Sequence, residues 1–122
     1  MKVYVATSQT VIAFVRDCDA TFVEILPETQ TVNVVEHLAI TKIVKRFFNC
    51  NLLEIYSDNR LVVDQLNGRW CFEEVELRKL TQLVWSLVSG MQRNGNCVMF
   101  MWIPLEDNPA RRLLADRRGD GY

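Results

Sequence analysis

The sequence predicts an α/β fold, a five-stranded mixed sheet with helices on both faces. Three features point there. Residues 2–26 hold three short β-branched runs joined by tight connections, and helical and strand-like segments alternate after them. The fourth strand-like run, Leu52–Tyr56, follows a helical segment directly, as a parallel strand reached by a right-handed crossover does.

Lys2–Thr7 alternates, with Val3 and Val5 opposite Lys2 and Tyr4, and Thr10–Arg16 and Thr21–Leu26 are two further β-branched runs. The short connections at Ser8-Gln9 and Asp17-Cys18-Asp19 make these three an antiparallel meander. Val34, Val35, Leu38, Ile40, Ile43, Val44 and Phe47 recur at helical spacing, which predicts a helix over Asn33–Phe48. Asn33, with Glu36 three residues on, matches a capping box at its start. Leu52–Tyr56 is the fourth strand, and Asp58–Leu66 a short helix stopped by Asn67-Gly68. A longer helix is expected over Glu73–Met91, with Val75, Leu77, Leu80, Leu83, Val84, Leu87 and Val88 inward and Asn94-Gly95-Asn96 as its stop. Cys97–Ile103 is the fifth strand, and Asn108–Arg118 a closing helix with Pro109 in its first turn. Trp70, Trp85 and Trp102 fall in or beside apolar runs, which predicts packing roles.

At 122 residues and 49% hydrophobic content the chain suffices for one core, so residues 1–118 are expected to be a single domain and 119–122 a flexible tail. A formal charge of -1 and a pI near 5.8 exclude binding of polyanions by bulk electrostatics, so any such site must be local. Cys18, Cys50, Cys71 and Cys97 show no CxxC or Cys/His cluster, so zinc and thioredoxin-like chemistry are not indicated and reduced core thiols are expected. No signal-peptide pattern and no run of about 20 apolar residues occurs, which makes the expected location cytoplasmic.

Chemistry concentrates in four segments. Leu52–Tyr56 runs into Ser57-Asp58-Asn59, which sets a carboxylate at a strand end before a helix. Thr31-Val32-Asn33-Val34-Val35-Glu36-His37-Leu38-Ala39 places a second acid near a helix start. Val5-Ala6-Thr7-Ser8 closes the first strand, and Asn108-Pro109-Ala110-Arg111-Arg112-Leu113-Leu114-Ala115 opens the last helix. In this element order, these segments make the chain resemble the ribonuclease H family, in its short type without a basic helical protrusion.

The resemblance implies a ribonuclease H-like fold with element order βββαβααβα. It also implies a site in which four carboxylates hold two magnesium ions about 4 Å apart, one ordering the attacking water and one the leaving oxygen. Glu36 takes the helix position of that site and Asp58 the fourth-strand position. Ala6 stands where the family has a bridging Asp, and Arg112 where it has the last Asp. The glycine-rich turn that follows the first strand in active relatives is reduced to a short connection holding Ser8-Gln9.

Two acids beside a guanidinium suit magnesium poorly, because that ion demands several oxygen ligands in near-octahedral array. The expectation is that Arg112 stands in for the missing cation by pairing with Asp58 or Glu36. Asp116, one turn beyond Arg112, is the candidate substitute carboxylate, with Glu106 and Asp107 weaker ones. Asn33, Arg60 and Arg111 are candidate nucleic-acid contacts by the resemblance. Structural readings stand beside these: Glu36 as the capping partner of Asn33, Asp58 as the cap of the next helix, and Arg60 as a solvated side chain. His37, adjoining Glu36, is expected at the surface or its boundary.

The functional expectation is a ribonuclease H-like domain that does not catalyse. It would bind nucleic acid, as an RNA:DNA hybrid or a duplex, or a protein partner, and would need no cofactor. One alternative is an active, magnesium- or manganese-dependent ribonuclease H using Glu36, Asp58 and Asp116. Another is a structural or dimerisation module.

Overall fold

In the computed structural model, period-two alternation in the first two strands divides the interior into two cores. The structure describes residues 1–17, 20–69 and 74–120, without the side chains of 117–120. Strands β1 (Lys2–Thr7), β2 (Val11–Arg16) and β3 (Ala20–Ile25) form an antiparallel meander. Helix α1 (Val32–Arg46) leads to β4 (Leu52–Ser57), which pairs parallel with β1. Helices α2 (Arg60–Leu66) and α3 (Val75–Arg93) lead to β5 (Cys97–Trp102), parallel to β4, and α4 (Pro109–Asp120) closes the chain. The sheet order is β3-β2-β1-β4-β5.

Val3, Val5, Ile12 and Phe14 point into the larger core with Val35, Ala39, Ile40 and Ile43 of α1. Ala6, Ala13 and Val15, one position out of phase, face Ala110 and Leu114 of α4. Ala6 lies opposite Ala13 across the β1/β2 ladder, and this pair of methyls leaves room for α4 on that face. The sheet thus carries helices on both faces, with α4 packed mainly over β1 and β2.

Several local expectations are corrected. Thr31, not Asn33, caps α1: its backbone is extended and its hydroxyl accepts from the Val34 N–H. Glu36 therefore sits too deep in the helix to reach back in a capping box, and it is fully buried. Asn59, not Asp58, caps α2, accepting from the Val62 N–H at 3.1 Å. In α3 the buried stripe is Leu77, Thr81, Val84 and Met91, while Val75 and Leu83 are exposed, so the inward face is narrower than the apolar pattern implied.

His37 is not at the surface. About 100° round the helix from Glu36, it is completely buried against α2 and α3, with Nε2 2.8 Å from Gln65 Oε1 and 3.4 Å from Thr81 Oγ1. Burial pushes its pKa down from 6.5, against the Gln65 hydrogen bond. Cys97 is exposed and Cys50 half-buried, so neither is a core thiol; Cys18 and Cys71 lie outside the described residues, as does Trp70. Trp85 and Trp102 keep 39% and 42% of their surface in solvent; the Trp85 indole donates to the Leu66 carbonyl at 2.8 Å, and the Arg60 guanidinium lies on the Trp102 ring. The predicted stops hold, since Gly68 and Gly95 adopt left-handed backbones after α2 and α3. The last helix runs to Asp120, past the expected Arg118. Among the described residues no helix is long and apolar enough to cross a membrane.

Candidate functional site

β1 and β4 end side by side, with Val5 in register with Ser57, and this parallel end gathers the polar side chains. Glu36 reaches it from α1 underneath. Thr7 Oγ1 donates to one carboxylate oxygen at 2.6 Å and Ser57 Oγ to the other at 2.9 Å. Ser57 Oγ also accepts from the Asn59 N–H at 3.0 Å, tying the strand end to the cap of α2. Burial pushes the Glu36 carboxyl up from 4.5 to about 7; the two hydroxyls oppose the rise and the nearby Asp58 charge adds to it.

Asp58 is gripped from α4. Arg111 donates through Nη2 to Oδ1 at 2.8 Å and through Nε to Oδ2 at 2.9 Å, a two-point fork on the carboxylate. Its Nη1 donates to the Thr7 carbonyl at 3.0 Å, so the same guanidinium also closes the end of β1. The buried Asn108 amide donates to Asp58 Oδ2 at 3.1 Å and to the Val5 carbonyl at 2.9 Å. The Asp58 side chain is 4% exposed and that of Arg111 22%. The hydrogen bonds to Asp58 push the Arg111 pKa up, against burial. Ala6 lies beside this network with its methyl in the α4 core.

A family model described as reverse transcriptase-like matches residues 5–117. The chain belongs to that family. Its fold is that of ribonuclease H, as likeness to solved structures shows. Ribonuclease H1 of the halophilic archaeon Halobacterium salinarum superposes with a TM-score of 0.74 at 19% identity, over 99% of this chain and 96% of that one. The N-terminal ribonuclease H domain of a Mycobacterium tuberculosis protein gives 0.69 at 17%, over 89% and 90%. LC11 ribonuclease H1, solved in complex with an RNA/DNA hybrid, gives 0.65 at 15%, over 88% and 86%. No curated protein matches the chain.

Within this ribonuclease H-like frame the candidate residues divide. Glu36 and Asp58 converge on one network, bridged by Ser57, Asn59 and Thr7. Arg112 does not join them; it is exposed, and Arg111 makes the ion pair instead. The reason is rotation: adjacent helical residues point about 100° apart, so only one of the two arginines can face β4. Asp116 shares the outward face of Arg112 and is likewise exposed, as are Glu106 and Asp107 in the turn before α4. Arg111, also a candidate nucleic-acid contact, turns three of its nitrogens inward. Arg60 is exposed, its guanidinium 5.2 Å from the centre of the Trp102 ring. Asn33 is half-buried and accepts from Asn59 Nδ2 at 2.9 Å.

The residues present do not fit the two metal ions that the fold family implies. The Arg111 cation already sits on Asp58, each oxygen of Glu36 accepts from a hydroxyl, and the third position offers a methyl group, which leaves too few oxygen ligands for two ions. Among the described residues no group of three or more His, Cys, Asp or Glu is placed to hold an ion. Sequence reasoning missed Thr7, Ser57 and Asn108 as partners of the acids, although all three sit in the quoted motifs. Asn59 is the hinge of this local network, capping α2 and bonding Asn33. Asn59→Ala is expected to lower stability by about 1–2 kcal/mol, read from urea unfolding curves.

Proposed function

We propose that the chain is a binding domain for nucleic acid, taking an RNA:DNA hybrid or a duplex of similar shape across the joined ends of β1 and β4 without hydrolysing it. The observation that carries this reading is the two-point ion pair between Arg111 and Asp58, which puts a fixed guanidinium where an acid would have to be free for a metal. Recognition of an A-like hybrid depends on phosphate and 2′-hydroxyl contacts rather than on catalytic acids, so binding can outlast cleavage. The complex of LC11 ribonuclease H1 with an RNA/DNA hybrid supports the choice of ligand.

Arg60, exposed two residues after Asp58, would hold a phosphate, with Asn33 bonded to the cap of α2 nearby, and the exposed Arg112 on the outer face of α4 would hold another. With a formal charge of -1 the chain brings few cations to a polyanion. Two or three phosphate contacts give log K a slope of about -2 to -3 against log salt. Binding needs no cofactor, and a cytoplasmic location fits it.

The test is fluorescence anisotropy of a labelled hybrid at low salt, in EDTA or in magnesium or manganese, followed by gel analysis of the same samples. Equal binding in all three conditions with intact RNA is expected. Cleavage in either metal that disappears in Asp58→Asn would overturn the non-catalytic part and return the chain to the active enzymes. No binding to hybrid or duplex at low salt would overturn the ligand assignment and leave a protein partner or a homodimer.

A further inference from the structure

We infer that the cavity between α2 and β5 takes an unpaired nucleobase, so that this chain prefers nucleic acid carrying a single-stranded extension. This deepens the binding reading above and rests on it. The cavity holds about 390 Å³, lined by the apolar Tyr56, Met101 and Trp102 and by the polar Arg60, Asp64, Asn67 and Arg69. That volume lies within the range of about 300–1,000 Å³ usual for small-molecule sites.

Its place in the fold follows from the sheet register. Trp102 ends β5 opposite Ser57 of β4, and the Ile103 N–H donates to the Ser57 carbonyl at 3.0 Å. β5 is thus the strand beside β4, whose end carries Asp58, and Tyr56 of β4 and Arg60 at the start of α2, each two residues from Asp58, line the cavity. Arg60, two residues after Asp58, lies over the indole and sets a cation between site and cavity.

The chemistry of the lining selects the ligand. Trp102 is 42% exposed, so part of its indole is open to a flat partner. A purely apolar partner would desolvate Arg60 and the exposed Arg69, which pairs at 4.0 Å with Asp64 on the same cavity wall. A paired duplex offers phosphates but keeps its base faces stacked inside. An unpaired nucleotide offers both a flat face for the indole and phosphates for the arginines. Asn67 already donates through Nδ2 to the Phe100 carbonyl at 3.0 Å, which leaves its amide oxygen for the exocyclic amine of a base.

The experiment compares a blunt hybrid with the same hybrid carrying two unpaired nucleotides at each strand end in turn, using the full chain in EDTA at low salt. At least one extension is expected to tighten binding about tenfold, the size of one base–aromatic stack. In Trp102→Ala the ratio of extended to blunt affinity should fall to near one, and in Trp102→Phe it should largely persist. Replacing the extension by abasic sugars should remove the gain in the wild-type chain. Extensions that give no gain, or a gain that survives Trp102→Ala, overturn the inference and leave the hybrid-binding reading standing. If the blunt and extended hybrids both fail to bind, the parent reading falls and this one with it.

Discussion

Above about pH 7, Glu36→Gln is expected to be more stable than the wild-type chain, by about 3 kcal/mol. The cause is burial. Glu36 has no exposed surface, and its carboxyl is pushed up from 4.5 to about 7. In the unfolded chain the same carboxyl ionises near its ordinary value, so between these limits the folded state holds a proton that the unfolded state has released. Stability from this group is therefore complete below about pH 4.5 and is lost as pH rises through about 7. Glutamine has the same shape and no charge to desolvate; whichever of the Thr7 and Ser57 hydroxyls faces its amide nitrogen can rotate to accept from it, while the other goes on donating to its amide oxygen.

His37 has the opposite sign: its pKa is lowered, so the unfolded chain takes up a proton first and stability falls as pH drops below 6.5. In the wild-type curve the two effects partly cancel. The difference between wild type and Glu36→Gln removes His37, which both chains share. Urea unfolding at half-unit steps between pH 4 and 8 reads that difference. It should be flat at the acid end and open steadily up to about pH 7. Parallel curves over the whole range would mean that Glu36 ionises freely in the folded protein.

The depth of Glu36 also shows what could be read in advance. Its convergence with Asp58 was what the resemblance to the ribonuclease H family implied; periodicity supplied only the elements that carry the two acids, α1 by its 3.6-residue stripe and β4 by a short apolar run before a capped helix. The alternation in Lys2–Thr7 likewise placed Val5 and Ala6 on opposite faces, and the structure puts them in different cores. What failed were decisions that turn on rotation by a single residue or on competition between neighbours of like chemistry. Thr31 and Asn33 both carry good capping side chains, and Asn59 competes with Asp58 in the same way. Arg111 and Arg112 are identical in type, and only the docking of α4 on β1 and β2 decides which one meets Asp58. His37 was misplaced because a polar side chain beside a polar side chain suggests a surface. The buried amide of Gln65 that satisfies it lies 28 residues away in sequence. Trp102 belongs to a strand whose pattern gives a side, while its exposure depends on how far α2 and α3 extend over the strand end.

Arg111→Ala is expected to cost about 3 kcal/mol, at the lower end for breaking a buried ion pair because the guanidinium is 22% exposed. The variant strands Asp58, 4% exposed, with the Asn108 amide as its remaining side-chain donor and with Glu36 close by. Removing both partners is a different case. Asp58→Ala/Arg111→Ala should recover more than half of the loss, since no unpaired charge is left and the cluster of Ala6, Ala13, Ala110 and Leu114 lies alongside. A double-mutant cycle by urea denaturation measures the coupling. A loss below about 1 kcal/mol in Arg111→Ala would show that the pair is a surface contact. The same variant tests the sign of the site. With the guanidinium gone, Asp58 Oδ1 is released and Oδ2 keeps the Asn108 amide, and millimolar manganese should raise the Tm of Arg111→Ala by more than that of the wild-type chain. If both rise equally, the ion binds elsewhere and Arg111 is not the group that keeps divalent cations out. If only the variant rises, one residue of α4 accounts for the exclusion, and Ala6 limits what a bound ion could then do by withholding the ligand that would bridge a second.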